Sequence, residues 1–105
     1  MLEMQNVEAV EALLQKSPCC LLDFWADWCG TCRMMSDVLQ ELEDANTGRV
    51  VFVKINADTA ADVAVKYEVS TLPTFLLFAN GKLCQRITGA RSKAFLQKAL
   101  DALID

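Results

Sequence analysis

With 105 residues, 53% of them hydrophobic and 23% charged, the chain has the size and composition of one globular domain and leaves no room for two. Its 14 acidic and 10 basic residues give a net charge of −4, which speaks against the clustered basic surface that a nucleic-acid backbone requires. Histidine is absent, so Ser-His-Asp and Cys-His catalysis and imidazole ligation of zinc are excluded, and any chemistry falls to cysteine, carboxylate, lysine or backbone groups.

The chain opens on a short apolar start, Met1 to Gln5, without the basic beginning and apolar stretch of a secretory signal, and a cytoplasmic protein is expected. Asn6 is placed to cap a helix in which Val7, Val10, Leu13 and Leu14 recur at helical spacing and Glu8 sits in the favourable first turn. Pro18 ends that helix. Residues 19–25 follow as a nearly continuous apolar strand, the pattern of a central strand covered on both faces. Its longest apolar run, Cys19 to Leu22, is broken by Asp23 and is too short to span a bilayer.

A second helix is predicted from about Cys32 to Ala45, with Met35, Val38, Leu39 and Leu42 on its buried stripe. Residues 50–55 are a β-branched strand and 60–67 a short helix. Residues 74–78 form another apolar strand, Asn80-Gly81 is the clearest hairpin signal, and 83–88 supply its antiparallel partner. Ser92 caps a final helix with Leu96, Ala99, Leu100 and Leu103 inward. The order β-α-β-α-β-α-β-β-α predicts an α/β domain over residues 1–105, its mixed sheet held between helices.

Five cysteines, Cys19, Cys20, Cys29, Cys32 and Cys84, are an odd number and do not form a structural disulfide framework without a secretory context. Cys29 and Cys32 form a Cys-x-x-Cys pair where a buried strand ends and a helix begins. Unpaired N–H groups and the positive end of the dipole there stabilise a thiolate, which makes Cys29 the nucleophile. Cys32, one turn later and more buried, is placed to attack a mixed disulfide. A four-thiolate zinc site would need two more ligands from Cys19, Cys20 and Cys84. The first two are neighbours on a strand and point to opposite faces, so zinc is the weaker reading. Two inert core cysteines would leave Trp28 and Gly30 unexplained.

Residues 21–33, Leu-Leu-Asp-Phe-Trp-Ala-Asp-Trp-Cys-Gly-Thr-Cys-Arg, resemble the active-site segment of the thioredoxin family. Lys54-Ile55-Asn56-Ala57-Asp58, Ser70-Thr71-Leu72-Pro73-Thr74, Phe78-Ala79-Asn80-Gly81 and Gly89 follow in that family's order and spacing. The resemblance implies the thioredoxin fold, a mixed sheet of about five strands flanked by about four helices. It implies a protein disulfide reductase that works through a redox-active Cys29–Cys32 disulfide and binds no cofactor. It further implies a monomer that acts on disulfide-containing proteins and is re-reduced by a thioredoxin reductase, usually a flavoprotein.

Carried onto this chain, Asp23 resembles the buried acid behind the cysteines. A carboxylate in an apolar strand resists ionisation, which suits it to exchange a proton with Cys32 near neutral pH. Lys54 resembles the nearby lysine, and a structural pairing of the two is the plainer account of both. Pro73 resembles the family's cis-proline. The Leu72 backbone would pair with an extended substrate, while Trp28, Gly30, Pro73 and Gly89 would line a shallow contact surface. Trp25 is expected in the core, and Gly89 taken alone reads as a turn glycine.

Three positions depart from the family pattern. Thr31 replaces a proline and adds an N–H and a hydroxyl close to Cys29, which predicts a more oxidising protein. Asp37 replaces a helix-kinking proline, which predicts a straighter helix and an acid opposed to thiolate formation. Arg33 replaces a lysine and keeps its charge. Cys19, Cys20 and Cys84 are extra: small buried hydrophobes, with Cys84 on an edge strand the candidate for an exposed thiol. Two rival readings remain beside the reductase, a disulfide oxidase or isomerase and a non-catalytic binding module.

Overall fold

A computed structural model describes residues 1–104. The strands are β1 (Leu2–Glu3), β2 (Cys19–Trp25), β3 (Val51–Asn56), β4 (Thr74–Ala79) and β5 (Lys82–Thr88). The helices are α1 (Val7–Lys16), α2 (Gly30–Met34), α3 (Ser36–Ala45), α4 (Ala61–Lys66) and α5 (Lys93–Ile104). The sheet runs β1-β3-β2-β4-β5, with β1 and β2 parallel to β3 and β4 antiparallel to both β2 and β5.

Central placement of β2 follows from its side chains. Cys19 and Leu21 pack on one face with Leu39 and Leu42 of α3 and Leu96 and Leu100 of α5. Cys20, Leu22 and Phe24 pack on the other with Val10 and Leu14 of α1 and Val63 and Ala64 of α4. A strand buried on both faces has no polar side to give to solvent, so the alternation seen in half-exposed strands is missing. Phe24, Phe52 and Phe75 are fully buried within these layers, and truncating any one of them to alanine would cost about 3–5 kcal/mol.

Local signals act as their chemistry requires. Asn6 caps α1 by accepting the Ala9 N–H at 2.8 Å. Ser92 accepts the Phe95 N–H at 3.1 Å at the start of α5. At the β4–β5 hairpin, Asn80 and Gly81 have φ of 52° and 80°, the two positive values a type I′ turn demands.

The second helix departs from the expected one. It begins at Gly30 rather than Cys32, and it breaks at Met35 into α2 and α3 instead of running straight. Replacing proline by Asp37 therefore does not straighten it. The Met35 N–H is shared by the carbonyls of Thr31 (3.1 Å) and Cys32 (3.2 Å), which tightens the turn. Its ψ of −11° stays in the right-handed region but departs from the regular helical value, and the side chain drops into the core beside Leu39 and Leu42. The four expected helices thus become five.

Candidate functional site

The C-terminal end of β2 and the loop after it carry the cysteine pair to the start of α2. Cys29 is the N-cap of that helix, with extended φ/ψ of −86° and 104°. Its sulfur takes the place of the usual capping oxygen and accepts the Cys32 N–H at 3.2 Å. Cys29 and Cys32 are joined as a disulfide, their Cα atoms 5.3 Å apart. The Thr31 hydroxyl lies 3.4 Å from the Cys29 sulfur, which puts the residue expected to replace a proline in direct contact with that sulfur.

Burial does not separate the two cysteines as expected. Cys29 is 5% exposed and Cys32 8%, because each bonded sulfur shields the other. Their neighbours separate them. Cys29 meets Thr31 and the helix N–H, whereas Cys32 lines a cleft of about 360 Å³ together with Asp23, Trp25, Lys54, Arg33 and Leu39.

Asp23 lies on β2 opposite Lys54 of β3 and Phe75 of β4. It is 4% exposed, and burial pushes its carboxyl up to about 7, with the Lys54 charge pulling weakly the other way. The expected Asp23–Lys54 ion pair is not among the salt bridges of the described residues. The Lys54 ammonium instead sits 4.5 Å over the Trp25 ring. Trp25 is correspondingly half-buried, packed against the small cluster of Ala26, Cys29 and Cys32 and not enclosed in the main core.

The rim of the site comes from three loops. Trp28 is 69% exposed, and its indole N–H donates to Asp58 at 2.9 Å. Pro73 follows a cis peptide bond at Leu72, and Leu72 packs against Cys29, Cys32 and Ala26. Among the described residues no backbone hydrogen bond occupies Leu72. Gly89 donates its N–H to the Pro73 carbonyl at 2.8 Å, and its φ of 83° is one that favours glycine. Gly30 opens α2 beside Arg33. The expected residues are thus brought to one end of the sheet. Asp37 is exposed in the first turn of α3 and does not line the cleft.

Two supports of this rim were missed in the sequence. Asp58, which holds Trp28, is one of many acidic loop residues. Arg86 of β5 donates to the carbonyls of Tyr67 (2.7 Å) and Glu68 (3.3 Å), satisfying helix-end groups behind the Leu72–Pro73 loop. Glu68 there has φ of 55°. Val69 N–H bonds back to Ala64 at 2.9 Å and Glu68 N–H to Val65 at 3.1 Å, a Schellman end with glutamate in the glycine position. At the other end of the loop, the Thr74 hydroxyl donates to the Thr71 carbonyl. No periodic signal marks an arginine that caps a helix from another element.

Of the remaining cysteines, Cys19 and Cys20 are buried and Cys84 is exposed, as their strand positions predict. Burial raises the Cys20 thiol to about 12, which keeps it protonated and unreactive.

The family described as Thioredoxin matches residues 2–102. A thioredoxin of Chlorobaculum thiosulfatiphilum is 34% identical over 89 residues, covering 85% of this chain and 82% of that one. A bifunctional thioredoxin reductase/thioredoxin of Mycobacterium leprae is 37% identical over 84 residues, 80% of this chain and 18% of that longer one. The solved structure of oxidised mitochondrial thioredoxin 3 from Saccharomyces cerevisiae superposes with a TM-score of 0.91 at 33% identity, covering 97% of this chain and 94% of that chain.

Proposed function

This chain belongs to the thioredoxin family of thiol–disulfide oxidoreductases, and from that premise we propose that Cys29 attacks substrate disulfides, Cys32 resolves them and Asp23 carries the proton. In the reduced protein the Cys29 thiolate displaces one sulfur of a protein disulfide, forming a mixed disulfide and releasing a thiolate that takes up a proton. The Cys32 thiolate then attacks the Cys29 sulfur and expels the second substrate thiolate. Two electrons pass to the substrate, and the chain is left as the Cys29–Cys32 disulfide.

The reading is carried by the joined cysteines at the start of α2, with Asp23 in the cleft that reaches Cys32. A carboxyl titrating near 7 is populated in both forms at neutral pH, so it can take the Cys32 proton and return it. Helix N-termini lower cysteine pKa values, and thioredoxin is itself a standard example. Lys54 tempers the rise in the Asp23 pKa and braces Trp25. Trp28, Gly30, Leu72, Pro73 and Gly89 receive the substrate, which extends along the Leu72 backbone as an added strand.

Re-reduction falls to a flavoprotein thioredoxin reductase, a pairing supported by the Mycobacterium leprae relative that carries both names in one chain. Free thiols at Cys19, Cys20 and Cys84 suit a reducing compartment such as the cytoplasm. Fractionation of cells that express the tagged protein tests that placement.

The Thr31 hydroxyl beside Cys29 favours a second reading, a more oxidising member of the family, since stabilising the thiolate raises the potential. Equilibrium titration of the dithiol in glutathione and dithiothreitol buffers decides between the two. A thioredoxin-like low potential, with Cys32→Ser trapping substrates as mixed disulfides, supports the reductase. A potential raised towards the oxidising members replaces it with an oxidase or isomerase.

A further inference from the structure

The reductase reading leaves open which disulfides the groove prefers, and the rim beside Gly89 bears on that. Arg91 is exposed, yet its guanidinium is held in place from two sides. Its Nη1 donates to the Ala90 carbonyl at 3.0 Å, and the group lies 5.5 Å from the ring centroid of Phe95, one helical turn on. This keeps Nη1 3.4 Å from where a Cβ on Gly89 would be. Gly89 in turn is bonded to Pro73, whose neighbour Leu72 packs against the cluster that holds both cysteines.

Three other surface cations of the chain are paired with carboxylates. Arg49 pairs with Asp101 at 3.8 Å, Lys66 with Glu11 at 3.5 Å and Lys93 with Glu41 at 3.4 Å. Among the described residues no carboxylate comes within 4.0 Å of Arg91. An arginine carries five N–H donors in a fixed fork that matches a carboxylate, and here the protein itself uses few of them. Ordering the fork in advance lowers the entropy cost that weakens most exposed ion pairs. On the Trp28 side Asp58 accepts the indole N–H at 2.9 Å, and Arg33 donates to the Asp27 carbonyl.

Resting on the reductase reading above, we propose that Arg91 is a specificity-determining residue that reads a carboxylate flanking the substrate cysteine, so that this protein prefers disulfides set in acidic polypeptide segments. The chemistry at Cys29 is unaffected, since Arg91 acts on the bound segment and not on the sulfur.

Three disulfide peptides, identical but for glutamate, glutamine or lysine on both sides of the reactive cysteine, test this in steady-state reduction. The wild-type protein should show a KM about three- to five-fold lower for the glutamate than the lysine peptide, in the range of an exposed ion pair, with kcat shared and the difference lost at high ionic strength. Arg91→Gln should flatten the preference and Arg91→Glu reverse it, while all three proteins reduce the glutamine peptide alike. A change in folding or stability alone cannot reverse a charge preference. An unchanged preference in Arg91→Glu would overturn the proposal while leaving the reductase reading standing. Failure of the wild-type protein to reduce even the glutamine peptide would remove both.

Discussion

The two ends of the α2–α3 pair face opposite demands, and their bonding differs accordingly. At the leading end the cap is a sulfur, a weak acceptor, holding the Cys32 N–H at 3.2 Å with the Thr31 hydroxyl 3.4 Å away. At the trailing end Asn46 is fully buried. Its amide donates to Leu42 at 2.7 Å and to Gln97 of α5 at 2.8 Å, and accepts from Gln97 at 3.1 Å. The end that changes covalent state rests on soft contacts. The other end is closed by a reciprocal amide pair, which pins α3 to α5. Met35, where the helix breaks, is the boundary between them.

The sharpest way to break this contrast is to remove the proposed nucleophile. Cys29→Ser should abolish reduction of insulin disulfides in a turbidity assay while the far-ultraviolet circular dichroism stays native, because the replacement is nearly isosteric and alters no backbone hydrogen bond. Next in size is Asp23. Its carboxyl titrates near 3.8 when unfolded and near 7 when folded, so between those values the folded state binds the extra proton. The oxidised protein therefore loses stability as pH rises from about 4 to about 7, by on the order of 4 kcal/mol, and is insensitive to this group outside that window. Urea unfolding of wild type and Asp23→Asn at several pH values checks it. The asparagine variant should lack this loss and be the more stable protein at pH 8, with slower disulfide reduction.

At the anchored end, Asn46→Ala leaves the Gln97 amide without its partner and should cost about 2 kcal/mol in urea unfolding, with the redox potential unchanged. A shift in potential there would show that the two ends are coupled after all. Smaller effects belong to the rim. Thr31→Pro removes one hydroxyl contact to the thiolate, worth about 1 kcal/mol. It should lower the potential by about 20 mV in glutathione titration. Arg86→Ala removes both hydrogen bonds to the carbonyls of Tyr67 and Glu68 and should raise KM for protein disulfides about two-fold, because freed carbonyls at this exposed site can bond to water instead. Glu68→Gly in that background should restore part of the loss by relieving the left-handed backbone.

Much of this architecture could be read from residue order. The continuous apolar run of β2, the Asn80-Gly81 turn and the Asn6 and Ser92 caps are local signals, each complete within a few residues, and the chain follows them. The cysteine pair, Asp23 and the Leu72–Pro73 loop were legible through their ordered resemblance to a family. Other features depended on contacts between distant positions. The break at Met35 arises from a buried side chain competing with helix geometry, and no residue type announces it. Trp28–Asp58, Arg86 with the end of α4, and Lys54 over Trp25 join residues on separate elements, so no periodicity predicts them. Lys54 also shows why spacing misleads. Facing Asp23 in register does not bring the two charges together when an aromatic face lies nearer.

The outer strand β5 has a consequence for how the protein lives among its own copies. Only Ile87 of its seven residues is buried. Lys82 and Arg86 punctuate it, and its pairing with β4 slips at Leu77/Phe78. Charges and a bulge on an open edge discourage another chain from zipping onto it. If substrate strands add beside Leu72 as proposed, the rest of the border has to refuse them, or crowding would convert a shuttle into a fibre. The irregular edge and the open loop divide that labour: one invites a visiting backbone briefly, the other turns every passing backbone away.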